Sequence, residues 1–300
     1  MITASDDMEL PGYIPATAAP RRRHGLFILL GDRRALVGGC LFGGIVLVSV
    51  LAPVLAPYSP STLDFGHTLA PPSWAHLFGT DDFGRDVLSR TLYAGRPALL
   101  IATTTVAICA LVGIPLGLFA GYVGGAIEMI IMRVADVLLS LPALILAIGI
   151  VGVLGPSPGN VVLALAIVYI PFVARVARGV AVTLRHTLYL SAAVCWGERR
   201  AAILLRQVFP NAFPPIMIQC VLVFSYSILL EASLSFLGLG TQASNPSWGR
   251  LLTQALSLIT VAPWAGIFPG VFIVVTVLGL NLVGDSLADY FSGQGSRVVR

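Results

Sequence analysis

Residues 185–215 read RHTLYLSAAVCWGERRAAILLRQVFPNAFPP and form the longest polar interruption between two long apolar runs. Small and apolar residues from Leu190 to Gly197 predict one short helix, and residues 201–208 predict a second. Gly197 is expected to cap the first helix with a positive φ. A Pro-Asn-Ala-Phe-Pro-Pro sequence starting at Pro210 predicts a break before the next apolar run. Reversing the chain direction needs only a few residues, so a folded segment of this length indicates a docking surface.

The composition excludes a soluble fold. Hydrophobic residues make up 57% of the 300 residues, charged residues 11%, and the mean hydropathy is +0.91. A water-facing surface cannot be built from so few polar side chains, whereas a lipid-embedded one can. All 18 basic residues are arginine, so a phosphate-binding loop of the G-x-x-x-x-G-K-[ST] type is impossible, and this chain cannot itself be an ATP-hydrolysing subunit.

Six apolar runs are each long enough to cross a bilayer as a helix. They predict an all-α polytopic membrane protein with a permease domain over 35–290, between tails at 1–34 and 291–300. The first run also follows a basic start, as in a secretory signal, but it is too long for one and is predicted to be a retained span. The predicted spans are 35–56, 97–119, 127–154, 161–182, 215–237 and 261–283.

Arginine placement predicts the orientation. With both ends in the cytoplasm, four arginines face out: Arg85, Arg90, Arg96 and Arg250. The other fourteen face in, in agreement with the positive-inside rule, and residues 185–213 then form a cytoplasmic loop. The inward set is Arg21, Arg22, Arg23, Arg33, Arg34, Arg133, Arg175, Arg178, Arg185, Arg199, Arg200, Arg206, Arg297 and Arg300.

Neither cysteine nor histidine spacing indicates a metal site, a disulfide framework or a bound cofactor. The four cysteines are predicted to be free thiols, three of them inside apolar runs. The residues concerned are Cys40, Cys109, Cys195, Cys220, His24, His67, His76 and His186.

A second polar stretch, GTDDFGRDVLSR at 79–90, predicts a structured outer platform. Thr80 is expected to cap a helix that begins near Asp81. Arg85 and Arg90 follow Asp81 and Asp86 by four residues, which favours ion pairs over a hard-cation site. The platform either touches a partner or packs on the chain itself, and its predicted residues are Gly79, Thr80, Asp81, Asp82, Gly84, Arg85 and Asp86.

Several polar residues fall within or near the predicted spans. Arg133, Asp136, Arg175 and Arg178 are expected at the inner interface, where long side chains reach the headgroups. Asp285 and Asp289 follow span six. Deeper polar groups either line a pathway or bond neighbouring helices, and this choice stays open for Glu231, Ser233, Ser235 and Asn281.

Together these stretches resemble the ABC importer permeases of the dipeptide/oligopeptide/nickel branch, and most closely the second, shorter permease subunit. In the 185–215 loop the matching positions are Ala192, Ala193, Gly197, Ile203, Phe209 and Pro210, while Ser191 stands where that family usually has Glu. Further matching blocks are 79–90, Pro210-Asn211 with Pro214-Pro215, 231–240 with 246–249, 262–264, 268–270 and 281–285. The resemblance covers about residues 35–290.

The resemblance implies that a cytoplasmic ATPase docks on the loop through Ser191, Ala192, Ala193, Gly197, Arg199, Arg200, Arg206 and Pro210. It also implies a location in a bacterial inner membrane, a second permease subunit, an extracytoplasmic substrate-binding protein and surrounding lipid, with no nucleic-acid partner. Di- or oligopeptides are the expected cargo, and nickel or another small solute is the alternative. An ion-coupled carrier would need midplane polar interruptions, and an intramembrane hydrolase would need paired catalytic groups at depth; neither pattern is evident.

Overall fold

The computed structural model describes residues 32–240 and 246–291, and all regular structure within them is helical apart from one isolated bridge between Thr80 and Asp86. The expected all-α fold is confirmed. Residues 1–31 and 292–300 of the predicted tails lie outside the described residues. The helices are α1 (Arg33–Val50), α2 (Ala52–Leu55), α3 (Val87–Val123), α4 (Gly125–Leu139), α5 (Ala143–Leu154), α6 (Pro158–Arg185), α7 (Leu188–Cys195), α8 (Arg200–Ile203), α9 (Phe209–Phe236), α10 (Trp248–Leu256) and α11 (Trp264–Phe291).

Within residues 32–240 and 246–291, five helical stretches are long and apolar enough to cross a membrane, and there are up to six if a bent pair counts as one span. The five are α1, α3, α6, α11 and the continuous stretch Arg200–Phe236. The bent pair is α4 with α5, whose axes differ by 89°. The sequence predicted a span over 127–154, and the structure divides this stretch into two helices. The break falls at Ser140-Leu141-Pro142, because Pro142 disfavours a helical conformation at the residue before it and has no N–H to continue the helix.

The start of α1 and the end of α11 lie at the same end of the bundle. Asp32 caps α1 by accepting a hydrogen bond from Arg34 N at 3.0 Å, and it accepts another from Ser286 Oγ at 2.7 Å. These bonds, the one from Ser286 foremost, hold the pKa of the Asp32 carboxyl below its usual 3.8. Arg34 also lies 3.8 Å from Asp289. We call this the base end and the opposite end the cap end.

Helix α3 meets α6 along a stripe of glycines. Gly113, Gly117 and Gly121 stand four residues apart, and a Cβ built on them would lie 3.0, 2.1 and 2.5 Å from backbone oxygens of α6. Only glycine permits this approach, which is the means by which helices pack closely in a bilayer. The core of the bundle continues from this contact into buried apolar residues of α5 and α9.

The predicted break at residues 210–215 is wrong. The chain remains helical from Arg200 to Phe236, through Pro210, Pro214 and Pro215. A π-helical turn, Leu204–Val208, precedes α9, and Phe209 N bonds Leu204 O across five residues. Pro210 stands directly after this π-helical turn, at the start of α9. The loop is thus joined to a membrane-crossing helix without an interruption.

Candidate functional site

The segment that joins α6 to α9 at the base end, residues 186–208, is a folded unit that we call the base segment. Helix α7 ends at Cys195, and Gly197 has φ of 76°, as predicted. Glu198 N bonds Ala193 O at 3.1 Å and Gly197 N bonds Val194 O at 3.0 Å. This is the Schellman arrangement, in which a left-handed residue satisfies the last carbonyls of a helix. It fixes the turn into α8.

The base segment is anchored to the bundle by its apolar side. Leu190, Ala193, Ile203 and Val208 are buried and pack with residues of α3, α6 and α9. Ala193, predicted as a contact for a partner, faces this core instead. A further hydrogen bond runs from Gln207 Nε2 to Glu198 Oε2 at 2.7 Å and ties the turn after α7 to the π-helical turn. The segment therefore has a fixed shape.

The other predicted docking residues, in the base segment and at the start of α9, are exposed. Ser191, Ala192, Gly197 and Pro210 are open to the surroundings, and a Cβ on Gly197 would meet nothing within 4 Å. Ser191 Oγ donates to Thr187 O of its own helix at 3.3 Å. Within the described residues no acidic group pairs with the three exposed arginines, Arg199, Arg200 and Arg206.

Sequence reasoning missed the apolar part of this surface. Leu188 is 89% exposed and Trp196 is 90% exposed, and Leu205 is also open. Large apolar side chains in a polar, arginine-containing stretch were the available signal, because a polar loop has no internal need for a tryptophan. Exposed aromatic anchors next to arginines are typical of protein interfaces.

Two ion pairs connect α4 to α6 near the base end. Arg175 Nη2 lies 2.7 Å from Asp136 Oδ1, and Arg178 Nε donates to Glu128 Oε1 at 2.6 Å. The sequence placed Arg175 and Arg178 at the inner interface and did not identify the acids that pair with them. Glu128, which is the missing partner, lies 50 residues away along the chain, so local spacing could not identify it.

At the cap end, residues 57–86 form a polar cover that we call the cap segment. The predicted pair Asp81–Arg85 is present, with Arg85 Nε 2.7 Å from Asp81 Oδ2. The predicted pair Asp86–Arg90 is not: Arg90 bonds Asp81, and its Nη2 donates to Gln254 Oε1 at 3.1 Å. Within the described residues, no group of three or more His, Cys, Asp and Glu could hold a metal ion.

Asp86 is occupied by other groups. It caps α3 by accepting from Ser89 N at 2.8 Å and Ser89 Oγ at 2.7 Å, and its second oxygen lies 3.0 Å from His76 Nδ1. The helix therefore begins at Val87, and the prediction that Thr80 caps a helix near Asp81 is wrong. Thr80 Oγ1 instead accepts from Ala70 N at 2.8 Å and donates to His67 O within the cap segment.

Two glycines allow the cap segment to close on itself and on the bundle. Gly79 and Gly84 both have φ of 71°. A Cβ on Gly84 would lie 1.7 Å from Asp64 O, and one on Gly79 would lie 2.6 Å from Trp264 Nε1. Trp264 Nε1 donates to Thr80 O at 3.1 Å, which fastens the cap segment to the start of α11. Asp82 remains half-exposed at 3.7 Å from Arg85.

The deep polar residues do not form one cluster. Glu231 is fully buried, and Ser235 Oγ donates to its Oε1 at 2.7 Å. Both residues belong to α9, so this bond lies within one helix and does not join two. Ser233 bonds Leu229 O of its own turn, and Asn281 is half-buried on α11. Glu231 Oε2 has no hydrogen-bond partner among the described residues.

A bundle with up to six membrane crossings and a rigid, arginine-rich segment at one end is the architecture of a polytopic transport permease. The profile of the family described as binding-protein-dependent transport system inner membrane component matches residues 113–294, which include the base segment. The profile of the N-terminal transmembrane domain of oligopeptide transport permease C matches residues 26–72. The chain belongs to the family of binding-protein-dependent transport system inner membrane components, as its motifs predicted.

Curated relatives match along almost the whole chain. The dipeptide transport system permease protein of Alkalihalophilus pseudofirmus is 39% identical over 273 residues, covering 91% of this chain and 90% of that protein. The probable D,D-dipeptide transport system permease protein of Escherichia coli is 36% identical over 264 residues, with 88% and 89% covered. The di/tripeptide transport system permease protein of Pseudomonas aeruginosa is 38% identical over 286 residues, with 93% and 94% covered.

Proposed function

We propose that this chain is the permease subunit of an ATP-driven importer of di- or oligopeptides, and that the base segment is the docking site for a separate ATPase. The proposal rests on the structure of the base segment. Its shape is fixed from inside by buried apolar residues and the Glu198–Gln207 bond, while its exposed Arg199, Arg200 and Arg206 have no acidic partner within the described residues. A rigid surface with unpaired cations and exposed Trp196 suits a protein partner.

The docking chemistry has an apolar and a charged part. Leu188 and Trp196 supply apolar area of the kind that fills pockets on a partner. Arg199, Arg200 and Arg206 supply cations that form charge-assisted bonds with carboxylates on the ATPase. A partner with an apolar depression bordered by acidic residues fits both parts.

The continuity of the chain beyond the base segment supports a mechanical role. The helical stretch Arg200–Phe236 contains 37 residues, so it runs from the proposed docking site to the cap end. At 1.5 Å per residue this is roughly 55 Å. A displacement imposed on α8 by nucleotide-driven movement of the ATPase therefore acts directly on a helix that crosses the membrane. This is a two-state element biased by a distant ligand.

We also propose that the base end faces the cytoplasm. Fourteen of the 18 arginines are assigned to that side by the predicted spans, and this bias supports the orientation. The cap segment then faces outward, where its platform of residues 79–86 meets a substrate-binding protein or a second permease subunit. A second permease completes the pore, since one such bundle supplies half of it. The peptide cargo is supported by the relatives, whose names specify dipeptides and tripeptides.

Co-purification with the ATPase in detergent tests the docking proposal. Trp196→Ala should reduce the amount of ATPase recovered at least tenfold, because a buried aromatic anchor at an interface contributes about 2 kcal/mol or more. Trp74→Ala is the matched control, since Trp74 is 97% exposed at the cap end, and it should leave ATPase recovery unchanged. Equal recovery for the two variants contradicts docking on the base segment.

A further inference from the structure

A cavity of about 210 Å3 lies at the cap end, between the end of α9 and α10. It is far larger than the space of about 10–15 Å3 that one water needs, and smaller than the roughly 300 Å3 at which pockets for drug-sized ligands begin. A group of amino-acid size fits it. Its described lining is Ser235, Gly238, Gly240, Ser247, Arg250, Thr253 and Gln254.

Arg250 is the one charged residue in that described lining. It is half-buried, and no acidic side chain among the described residues pairs with it. The other arginines of the cap end are occupied: Arg85 and Arg90 bond Asp81, and exposed Arg96 lies over the Tyr93 ring, 6.0 Å from its centre. A guanidinium only donates hydrogen bonds, so the unpaired side chain of Arg250 favours an anionic ligand that accepts them.

Gln254 supplies a second donor in the same lining. Its Oε1 accepts from Arg90 Nη2 at 3.1 Å, and because arginine can only donate, this contact fixes which end of the amide is the oxygen. Its Nε2 has no partner among the described residues. Arg250 and Gln254 are four residues apart on α10, and so they share one face of the helix.

Two of the three hydroxyls in the lining already donate, whereas Ser247 Oγ accepts from Arg250 N at 3.3 Å. Ser235 Oγ donates to Glu231, and Thr253 Oγ1 donates to Phe236 O at 2.6 Å. The described cavity therefore offers a guanidinium and an amide N–H, both free and on one face, with no free carboxylate opposite them. This combination matches a carboxylate, whose two oxygens accept a bidentate guanidinium and one further donor.

We propose that Arg250 and Gln254 form a binding site for the carboxylate of the solute as it enters the permease from the cap end. The inference rests on the proposed function, because it takes the cap end as the side from which a peptide arrives. The guanidinium fork holds the terminal carboxylate, Gln254 fixes its orientation, and the remaining cavity accepts the residue that carries it. A peptide without a free carboxylate loses both contacts.

A thiol-protection experiment measures the occupancy of this cavity directly. Thr253→Cys is introduced into a chain whose exposed Cys40 and Cys195 are replaced by serine, and the permease pair is reconstituted in phosphatidylcholine nanodiscs. The rate of alkylation at position 253 is measured with dialanine and with its C-terminal amide. Dialanine should slow the reaction, and the amide should not.

Two variants and one control define the donors. Arg250→Gln should raise the dialanine concentration needed for protection by about tenfold or more, as expected for losing a hydrogen bond to a charged group. Gln254→Glu retains an oxygen that accepts from Arg90 but places a negative charge beside the ligand carboxylate, so it should abolish protection. Arg96→Gln removes the same charge from an exposed cap-end site and should leave protection unchanged.

Equal protection by dialanine and its amide, or undiminished protection in Arg250→Gln, overturns the proposal. Protection that appears without peptide when phosphatidylglycerol replaces phosphatidylcholine also overturns it, because the site then serves a lipid phosphate. ATPase recovery is measured on the same preparations. Absent protection with normal ATPase recovery refutes the carboxylate site alone, whereas lost ATPase recovery in the unmodified chain counts against the proposed function.

Discussion

The base segment and the cap segment both carry charged side chains, but these are paired within the chain in the cap segment, whereas the arginines of the base segment have no acidic partner among the described residues. In the cap segment, Asp81 receives Arg85 and Arg90, and Asp86 receives His76 and Ser89. In the base segment, the described surroundings of Arg199, Arg200 and Arg206 contain no acid within pairing distance. Ion pairs formed within the chain stabilise the cap segment, whereas the unpaired arginines of the base segment are available to bind another protein.

The largest expected effect is at the centre of the cap network. Asp81→Asn leaves Arg90 and Arg85 without their carboxylate in a site where the Asp81 side chain is 7% exposed. Breaking a buried pair from one side costs about 3–5 kcal/mol. The free energy of unfolding in detergent should fall by about that amount. Asp82→Asn is the control, because Asp82 is half-exposed and its variant should unfold like the parent.

Two glycines with the same backbone conformation test the difference in packing between the cap segment and the base segment. Gly84→Ala adds a methyl group 1.7 Å from Asp64 O at φ of 71°, whereas Gly197→Ala adds one into open space at φ of 76°. Both carry the left-handed strain of about 1–2 kcal/mol, and only Gly84→Ala also carries an overpacking cost of about 1–3 kcal/mol. Thermal denaturation should therefore rank Gly84→Ala well below Gly197→Ala, and equal losses would show that the cap segment relaxes freely.

The unpaired arginines should affect binding and leave folding unchanged. Replacing Arg199, Arg200 and Arg206 together by Gln should alter the free energy of unfolding by no more than about 0.5 kcal/mol, as for ordinary surface sites. Association with the ATPase should weaken about tenfold at low salt, and less at high salt, because exposed charges mainly accelerate encounter. Surface plasmon resonance at two ionic strengths measures this. A salt-independent affinity in the parent argues against charged docking.

The smallest expected effect concerns the internal tie of the base segment. Glu198→Ala removes the 2.7 Å bond to Gln207 Nε2, which contributes about 1 kcal/mol. Hydrogen exchange should rise at residues 198–208 and stay unchanged in the cap segment. An increase that extends to the cap segment would mean that the two regions are not independent.

The sequence could predict those features that depend on local pattern. Apolar run length indicated the crossings, and the Gly197 turn followed from the residue type alone. The missed features depend on partners distant in the chain: Glu128 for Arg178, Gln254 for Arg90 and His76 for Asp86. The prolines did not show from the sequence where helices end. The helix before Pro142 ends at Leu139, whereas Pro214 and Pro215 lie inside α9, which follows a π-helical turn.

The native cysteines allow the most direct test of docking on the base segment. Cys195 ends α7 beside Trp196, Cys40 lies on α1, and both are exposed, so each reports its own surface in the unmodified chain. The measurement is the rate of maleimide labelling at both positions, with and without the ATPase. The account predicts that the ATPase slows labelling of Cys195 at least tenfold and leaves that of Cys40 unchanged. An unchanged rate at Cys195 in a complex that contains the ATPase contradicts it.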